Sequence, residues 1–254
     1  MKLSIEWKDL TELSKWDVFH NLTLSIPWLL ASWVLYAFGY TVLGLGCSFM
    51  FFMTGLRQVH DAYHYLLGVS RVKTEALMFV QSVLMLGSMH AIQINHLRHH
   101  RLCMQAEDIE AMSARMPAWR AILMGPFFPW RLHKKALAIG TKNQRAWIGA
   151  ELLANVVWVV LVFVFLDVQW LKYHVCAMAI GQCLTSFFAV WTVHHDCPDD
   201  RARTIRGKWR GLVSYNLFFH AEHHLFPRVP SRNLPMIAQR LDKVAPHLTT
   251  YRVF

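Results

Sequence analysis

Formal charge is missing from long stretches of this chain, and that absence decides its broad class. Not one Asp, Glu, Lys or Arg occurs over residues 19–56, a run of 38 residues. A single membrane crossing takes about 20 apolar residues, so the run is long enough for two, with a tight turn near residues 39–46. Hydrophobic residues make up 55% of the sequence and the mean hydropathy is +0.27, more apolar than a usual soluble domain. Other absences narrow the function. The five cysteines form no C-x-x-C pair, with Cys47, Cys176 and Cys183 in apolar runs and Cys103 and Cys197 outside them, so no disulfide is expected. A glycine-rich nucleotide fingerprint, a nucleophile elbow and an internal repeat are all lacking, so flavin or nicotinamide chemistry has to come from another protein. The N-terminal stretch MKLSIEWKDLTELSKWDVFH has no apolar core followed by a small-residue cleavage site. It is therefore expected to be an interfacial helix rather than a signal peptide, with Trp7 and Trp16 suited to the headgroup region.

Histidine, by contrast, is abundant. Eight of the 15 histidines fall in three short boxes: His60 and His64 in HDAYH, His96, His99 and His100 in HLRHH, and His220, His223 and His224 in HAEHH. Residues three or four apart share one face of a helix, so each box aims two or three ring nitrogens the same way. Neutral imidazole is the commonest metal ligand. One tetrahedral zinc takes about four ligands, and a catalytic one about three from the protein, so eight imidazoles suit two ions better than one. Ligand type alone fits Zn, Cu, Fe and Ni alike. A purely structural role leaves the clustering unexplained. His133, in the basic PWRLHKK, reads as a solvated side chain, and His174 and His247 as incidental.

The boxes also constrain topology. Crossings are expected over residues 22–39, 43–59, 147–166 and 173–193. Residues 76–95 carry no formal charge either, but a crossing there would put the second box on the opposite side of the membrane from the first. They are therefore expected to form a buried or re-entrant helix pair broken near Gly87 and Ser88. Gln81, Ser88, His90 and Gln93 in this stretch favour a protein or aqueous setting over lipid. With this topology every Lys and Arg except Lys172 lies on the side of the boxes, which accounts for the formal charge of +10 without a nucleic-acid partner and puts the boxes in the cytosol. The expectation for residues 1–254 is one all-α domain: an integral membrane helical bundle with about four transmembrane helices and a cytosolic helical cap.

H-x-x-x-H, H-x-x-H-H and H-x-x-H-H in that order, with hydrophobic spans before the first box and between the second and third, resembles the membrane fatty acid desaturase and hydroxylase superfamily. The resemblance covers roughly residues 27–235. It implies two non-haem Fe ions held by the histidines, O2 as cosubstrate, and oxidation of a lipid chain. It also implies a further ligand from a helix end ahead of the third box. VHHDC supplies His194 and His195 there, and local similarity favours His195. Glu107, Asp108 and Glu110 resemble the acidic stretch that follows a second box in this superfamily, and are read either as acceptors that orient imidazoles or as plain surface charge. Asp61, Asp196 and Glu222 are further candidates for that role.

FFHAEHHLFPRVP looks like the third box of acyl desaturases, which makes a fatty acyl desaturase the first reading. A carotenoid ketolase or hydroxylase is the alternative, sharing HDAxH-like and EHHxFP-like segments. A membrane metal transporter or sensor is the alternative of another class, but such sites usually lie near the bilayer midplane. The enzyme reading requires an external electron donor, such as ferredoxin or a cytochrome with its reductase. It also requires an apolar pocket for the lipid tail, expected to be lined by residues such as Phe218, Phe219, Leu225 or Trp191.

Overall fold

The computed structural model describes residues 5–197, 202–205, 207–246 and 252–253, and among these the fold is helical with no strand. Four segments are long and apolar enough to cross a membrane: Lys15–Ala37, Thr41–Tyr63, Lys142–Leu166 and Gln169–His194. The first is built from α1 (Lys15–Thr23) and α2 (Ile26–Ala37), and it starts earlier than expected. Ser14 and Asp17 form a capping box there, each side chain accepting from the other's backbone N–H, which extends the helix beyond its apolar part. The turn to α3 (Thr41–Tyr63) needs only residues 38–40, with Gly39 at φ +81°. Trp16 is exposed, as suits an interface, but Trp7 packs against Phe226 and the core beside α13 (Leu234–Val244). The period-3.6 row Leu234, Ile237, Ala238 and Leu241 buries that helix on its apolar face.

The third crossing consists of α8 (Lys142–Val160) followed by a π-helical segment, Leu161–Leu166. The fourth joins α9 (Gln169–Thr185), the π-helical segment Ser186–Trp191 and the short α10 (Thr192–His194). α3 and the fourth crossing both end at histidines, so they run in the same direction. Between the second and third crossings, α6 (Ala118–Met124), α7 (Phe128–Ile139) and the short segment joining them leave Trp119, Leu123, Phe127 and Trp130 exposed, the composition of helices at a membrane interface. Gly125, between them, is fixed by contact: a Cβ there would lie 1.9 Å from the Cys183 carbonyl oxygen of α9.

The decisive element is the bend between α4 (Arg71–Met85) and α5 (Met89–Leu102), which meet at 110°. Leu86 takes a left-handed conformation and the helical ladder stops. Where water is excluded, freed backbone groups need other partners, and α7, α8 and α9 supply most of them. His174 Nε2 bonds the Leu84 carbonyl at 2.9 Å, and Gln182 Nε2 donates to the Met85 carbonyl at 2.7 Å. Ser82 Oγ donates to the Gly87 carbonyl at 2.6 Å, and Ser88 N–H donates to His133 Nε2 at 2.9 Å. Glu151, fully buried on α8, accepts from Ser88 Oγ at 2.5 Å and from His90 N–H at 3.2 Å, and its other oxygen lies 2.7 Å from His90 Nδ1. The opposite ring nitrogen of His90 meets Glu75 at 2.5 Å, and the ring stacks on Trp147.

His133 is thus not the solvated residue its basic surroundings suggested. Its Nδ1 donates to the Pro129 carbonyl at 2.6 Å, which leaves Nε2 free to accept from Ser88. Burial lowers its pKa, in keeping with the neutral form that this geometry requires. His174 is buried between Trp33 and Phe51, away from the boxes.

Glu151→Ala removes all three contacts at the bend and leaves His90 and Ser88 without them. Losing one partner of a buried charged network costs about 3–5 kcal/mol, so the thermal midpoint of the detergent-solubilised protein should fall sharply. Glu151→Gln, which keeps an acceptor oxygen, should lose less. An Ala variant as stable as the parent would remove Glu151 from this role.

Candidate metal centre

The three boxes sit on three helix ends. His60 is on the last turn of α3 with His64 at its C-cap, His96, His99 and His100 occupy the last two turns of α5, and His220, His223 and His224 lie on the six-residue α12 (His220–Leu225). α12 is too short to hold itself in place, and bonds to its neighbours fix it. Arg203 N–H donates to the Val193 carbonyl, Ala221 N–H to the Arg203 carbonyl, and Thr204 Oγ1 to Glu222 at 2.5 Å. On the other side, Asp61 accepts from Ser231 N–H at 3.0 Å and from Ser231 Oγ at 2.6 Å. Asp61 also faces the buried Arg57 at 3.5 Å. The segment after the third box is thereby tied to the helix that carries the first.

The rings converge in two groups of four: His60, His64, His96 and His223, and His99, His194, His220 and His224. Within each group, one nitrogen per ring lies within 4.8 Å of the others. In the first group His64 Nε2 and His96 Nε2 are 3.1 Å apart. In the second, His194 Nε2 lies 3.1 Å from His99 Nε2 and 3.0 Å from His220 Nε2, and His224 Nε2 lies 3.2 Å from both His99 Nε2 and His220 Nε2. His100 joins the first group, its Nε2 being 3.2 Å from that of His96 and 2.9 Å from that of His223.

Proton placement shows what these contacts are. His99 Nδ1 lies 2.7 Å from Asp108, which also accepts from the backbone N–H of Met104 and Ala111. Burial pushes the Asp108 carboxyl up, but these bonds outweigh it and hold the carboxyl below its ordinary range. It is therefore an acceptor, and in the neutral His99 ring the bond at Nδ1 leaves the Nε2 lone pair facing the other rings. His96 Nδ1 likewise faces Glu110 at 2.8 Å, although burial raises that carboxyl to about 7. A positive charge beside the ring would reverse that rise. Burial brings His64 down to about 4 and holds His223 and His224 well below the ordinary imidazole range, so these rings are neutral at pH 7. Both ring nitrogens of His60 are buried, and neither has a hydrogen-bond partner. Lone pairs packed at about 3 Å repel unless a cation lies among them, so the donor set fits metal ions, and the imidazoles fit iron as well as zinc or copper.

His195 does not join the cluster. The helix ends at His194, and His195, about 100° further round, stacks on Trp191 with ring centroids 3.7 Å apart and bonds the Trp191 carbonyl through Nδ1. The orienting carboxylates are Asp108 and Glu110, because the turn after α5 folds back over the rings. Glu107 and Asp196 are exposed, while Asp61 accepts from Ser231 and Glu222 from Thr204 Oγ1, as described. Asp199, Asp200 and His247 lie outside the described residues.

Beside the rings is an apolar cavity of about 90 Å³, lined by His60, His96 and His220 together with Leu56, Phe188 and Phe218. Of the tail-binding residues expected from sequence, only Phe218 lines it. Phe219 is packed in the core, Leu225 is exposed, and Trp191 holds His195 and donates to the Met116 carbonyl. The residues that sequence reasoning missed here, Gln182, Thr185, Ala189 and Val193, form one face of the fourth crossing at helical spacing. Stepping back from His194 along that face would have found them.

Comparison with known proteins agrees with this architecture. No curated protein and no solved structure matched the chain. A sequence profile described as fatty acid desaturase matches residues 31–254, nearly the whole chain, and the protein therefore belongs to the fatty acid desaturase family.

Proposed function

We propose that this protein is an oxygen-dependent di-iron fatty acyl desaturase, with the two histidine groups and His100 as its metal ligands. The observation that carries the reading is the contact between the cavity and the rings: a wall of aliphatic and aromatic side chains ends on His60, His96 and His220. Such a wall orders an apolar chain by excluding water, and its few polar members, Gln182 and Thr185 among them, are outnumbered by apolar side chains. Two irons in these groups would supply the activated oxygen needed to attack an unactivated C–H bond, with electrons from an external one-electron carrier. In the balance of the reaction, one O2 takes two electrons and two protons from the carrier side and two hydrogens from adjacent carbons, giving a double bond and two waters. The chain's own contribution is positional. Asp108 and Glu110 hold the His99 and His96 rings, and Asp61 ties the first box to the segment after the third.

Purified protein should carry two irons per chain. His64→Ala, His99→Ala, His223→Ala and His194→Ala should each lose metal and activity while remaining in the membrane. His195→Ala should keep both. One tightly bound zinc, with function retained in the first four variants, would sink the di-iron reading.

The basic loops and the shared end of α3 and the fourth crossing support an orientation with the histidines in the cytosol. Single cysteines introduced near Lys134 and Arg203 should label from the cytosol, and one near Gln169 from outside. Opposite-side labelling of positions following His64 and His100 would show that the bent pair crosses, and would refute this topology.

Turnover should require O2 and an added carrier with its reductase, and should yield a desaturated acyl chain. Product formed under strict anaerobiosis would overturn the mechanism. Oxygenated carotene as the sole product would overturn the substrate class in favour of a carotenoid oxygenase.

A further inference from the structure

Beyond the cavity at the histidines, a second cavity of about 120 Å³ lies between α3 and the fourth crossing. Its walls include Leu45, Ser48 and Phe52 on α3 and Met178, Gly181 and Leu184 on the fourth crossing. Both helices run toward the histidines, so these lower-numbered residues lie deeper in the bundle. From His60 back to Leu45 is about 22 Å of helix at 1.5 Å per residue. Among the described residues, Phe188 is the one side chain that lines both cavities.

Three observations make Phe188 a partition rather than a chance neighbour. First, about 90 Å³ is small beside the ~300–1,000 Å³ typical of ligand pockets, so a long hydrocarbon tail reaching the histidines has to continue past the end of that space. The same two helices offer the continuation. Second, Phe188 stands on the π-helical segment Ser186–Trp191, a departure from α-helical register of a kind that recurs at functional sites. Its ring meets Phe49 edge-on, with centroids 5.9 Å apart, across the gap between the helices. Third, Leu45, Phe49 and Ile180 around the deeper cavity are exposed on spans that face lipid, so that space is bounded by hydrocarbon and suits a tail.

We infer that Phe188 is a specificity-determining residue: its ring divides the two cavities and sets how far a substrate's hydrocarbon tail extends beyond the histidines. It thereby sets which chain lengths are accepted. The inference rests on the acyl-chain reading above. One methylene more or less in an apolar pocket changes discrimination by roughly 10–200-fold, so a change of ring at this position is large on that scale.

The test uses the full-length protein in membranes, supplied with one class of acyl substrate in a graded series of chain lengths. Product length and double-bond position are read by mass spectrometry and normalised to bound iron. Phe188→Leu and Phe188→Ala should raise the ratio of long-chain to short-chain product progressively, ~10-fold or more for Ala, while Phe188→Trp should lower it. Phe187→Ala, on the same segment but lining neither cavity, should leave the ratio unchanged. An unshifted ratio in all three Phe188 variants would overturn the partition while leaving the functional reading intact. So would a Phe188 variant that keeps its iron yet makes no product at any length, because opening the wall should widen acceptance. A wild-type protein that desaturates no acyl chain would overturn the acyl reading, and the partition with it.

Discussion

Nine imidazoles can converge only if every helix that carries them ends at the same level, and most of the fold follows from that constraint. His60 and His64 end the second crossing and His194 ends the fourth. With one crossing between them, two parallel helices deliver their last turns to the same place. The second box arrives by another route, because the apolar stretch ahead of it turns through 110° before α5 presents its three rings. A straight helix of the same length would carry His96, His99 and His100 away from His60 and His64. The third box is on a helix of six residues, which gains its position from the bonds made by Ala221, Glu222 and Ser231 and not from its own length.

Bending a helix inside an apolar bundle strands backbone groups that lipid cannot satisfy, and this explains polar side chains that otherwise look misplaced. Glu151 on the third crossing, Gln182 and His174 on the fourth, and His133 on α7 all point to the break, and each bonds a backbone group there. A similar account covers Arg57, buried one turn before His60. It donates to Asn21 and faces Asp61, while the neighbouring Gln58 bonds the Asn21 and Leu22 carbonyls, which end α1. In this bundle an intramembrane polar residue marks a place where helix geometry is interrupted or held in register.

How much of this was legible in the sequence depended on whether the signal was local. The boxes, the four crossings and the break near Gly87 and Ser88 follow from charge-free length, helical spacing and the requirement of one shared site. The choice between His194 and His195 turned on where the helix stops, a matter of one residue and about 100°, which no pattern in VHHDC reveals. Asp108 and Glu110 could not be separated from Glu107 without knowing the path of the turn after α5. His133 sits in a basic run whose composition says surface, yet its ring turns inward to Ser88, forty-five residues away along the chain. Long-range pairings of this kind leave no periodicity to read.

The histidine groups and the apolar cavities draw on different parts of the same two helices. At their histidine ends α3 and the fourth crossing supply ring nitrogens that meet those of α5, where Asp108 and Glu110 orient His99 and His96. Those positions tolerate little change, since one misplaced ring breaks a group of four. One to three turns deeper the same helices line the cavities mainly with apolar side chains, Thr185 being an exception. Leu56, Phe52 and Phe188 lie in this second zone. Packing in such a region changes volume at modest cost when the total is conserved. A histidine arrangement of this kind can therefore be kept while the walls below it change, because the two zones are consecutive turns of the same helices.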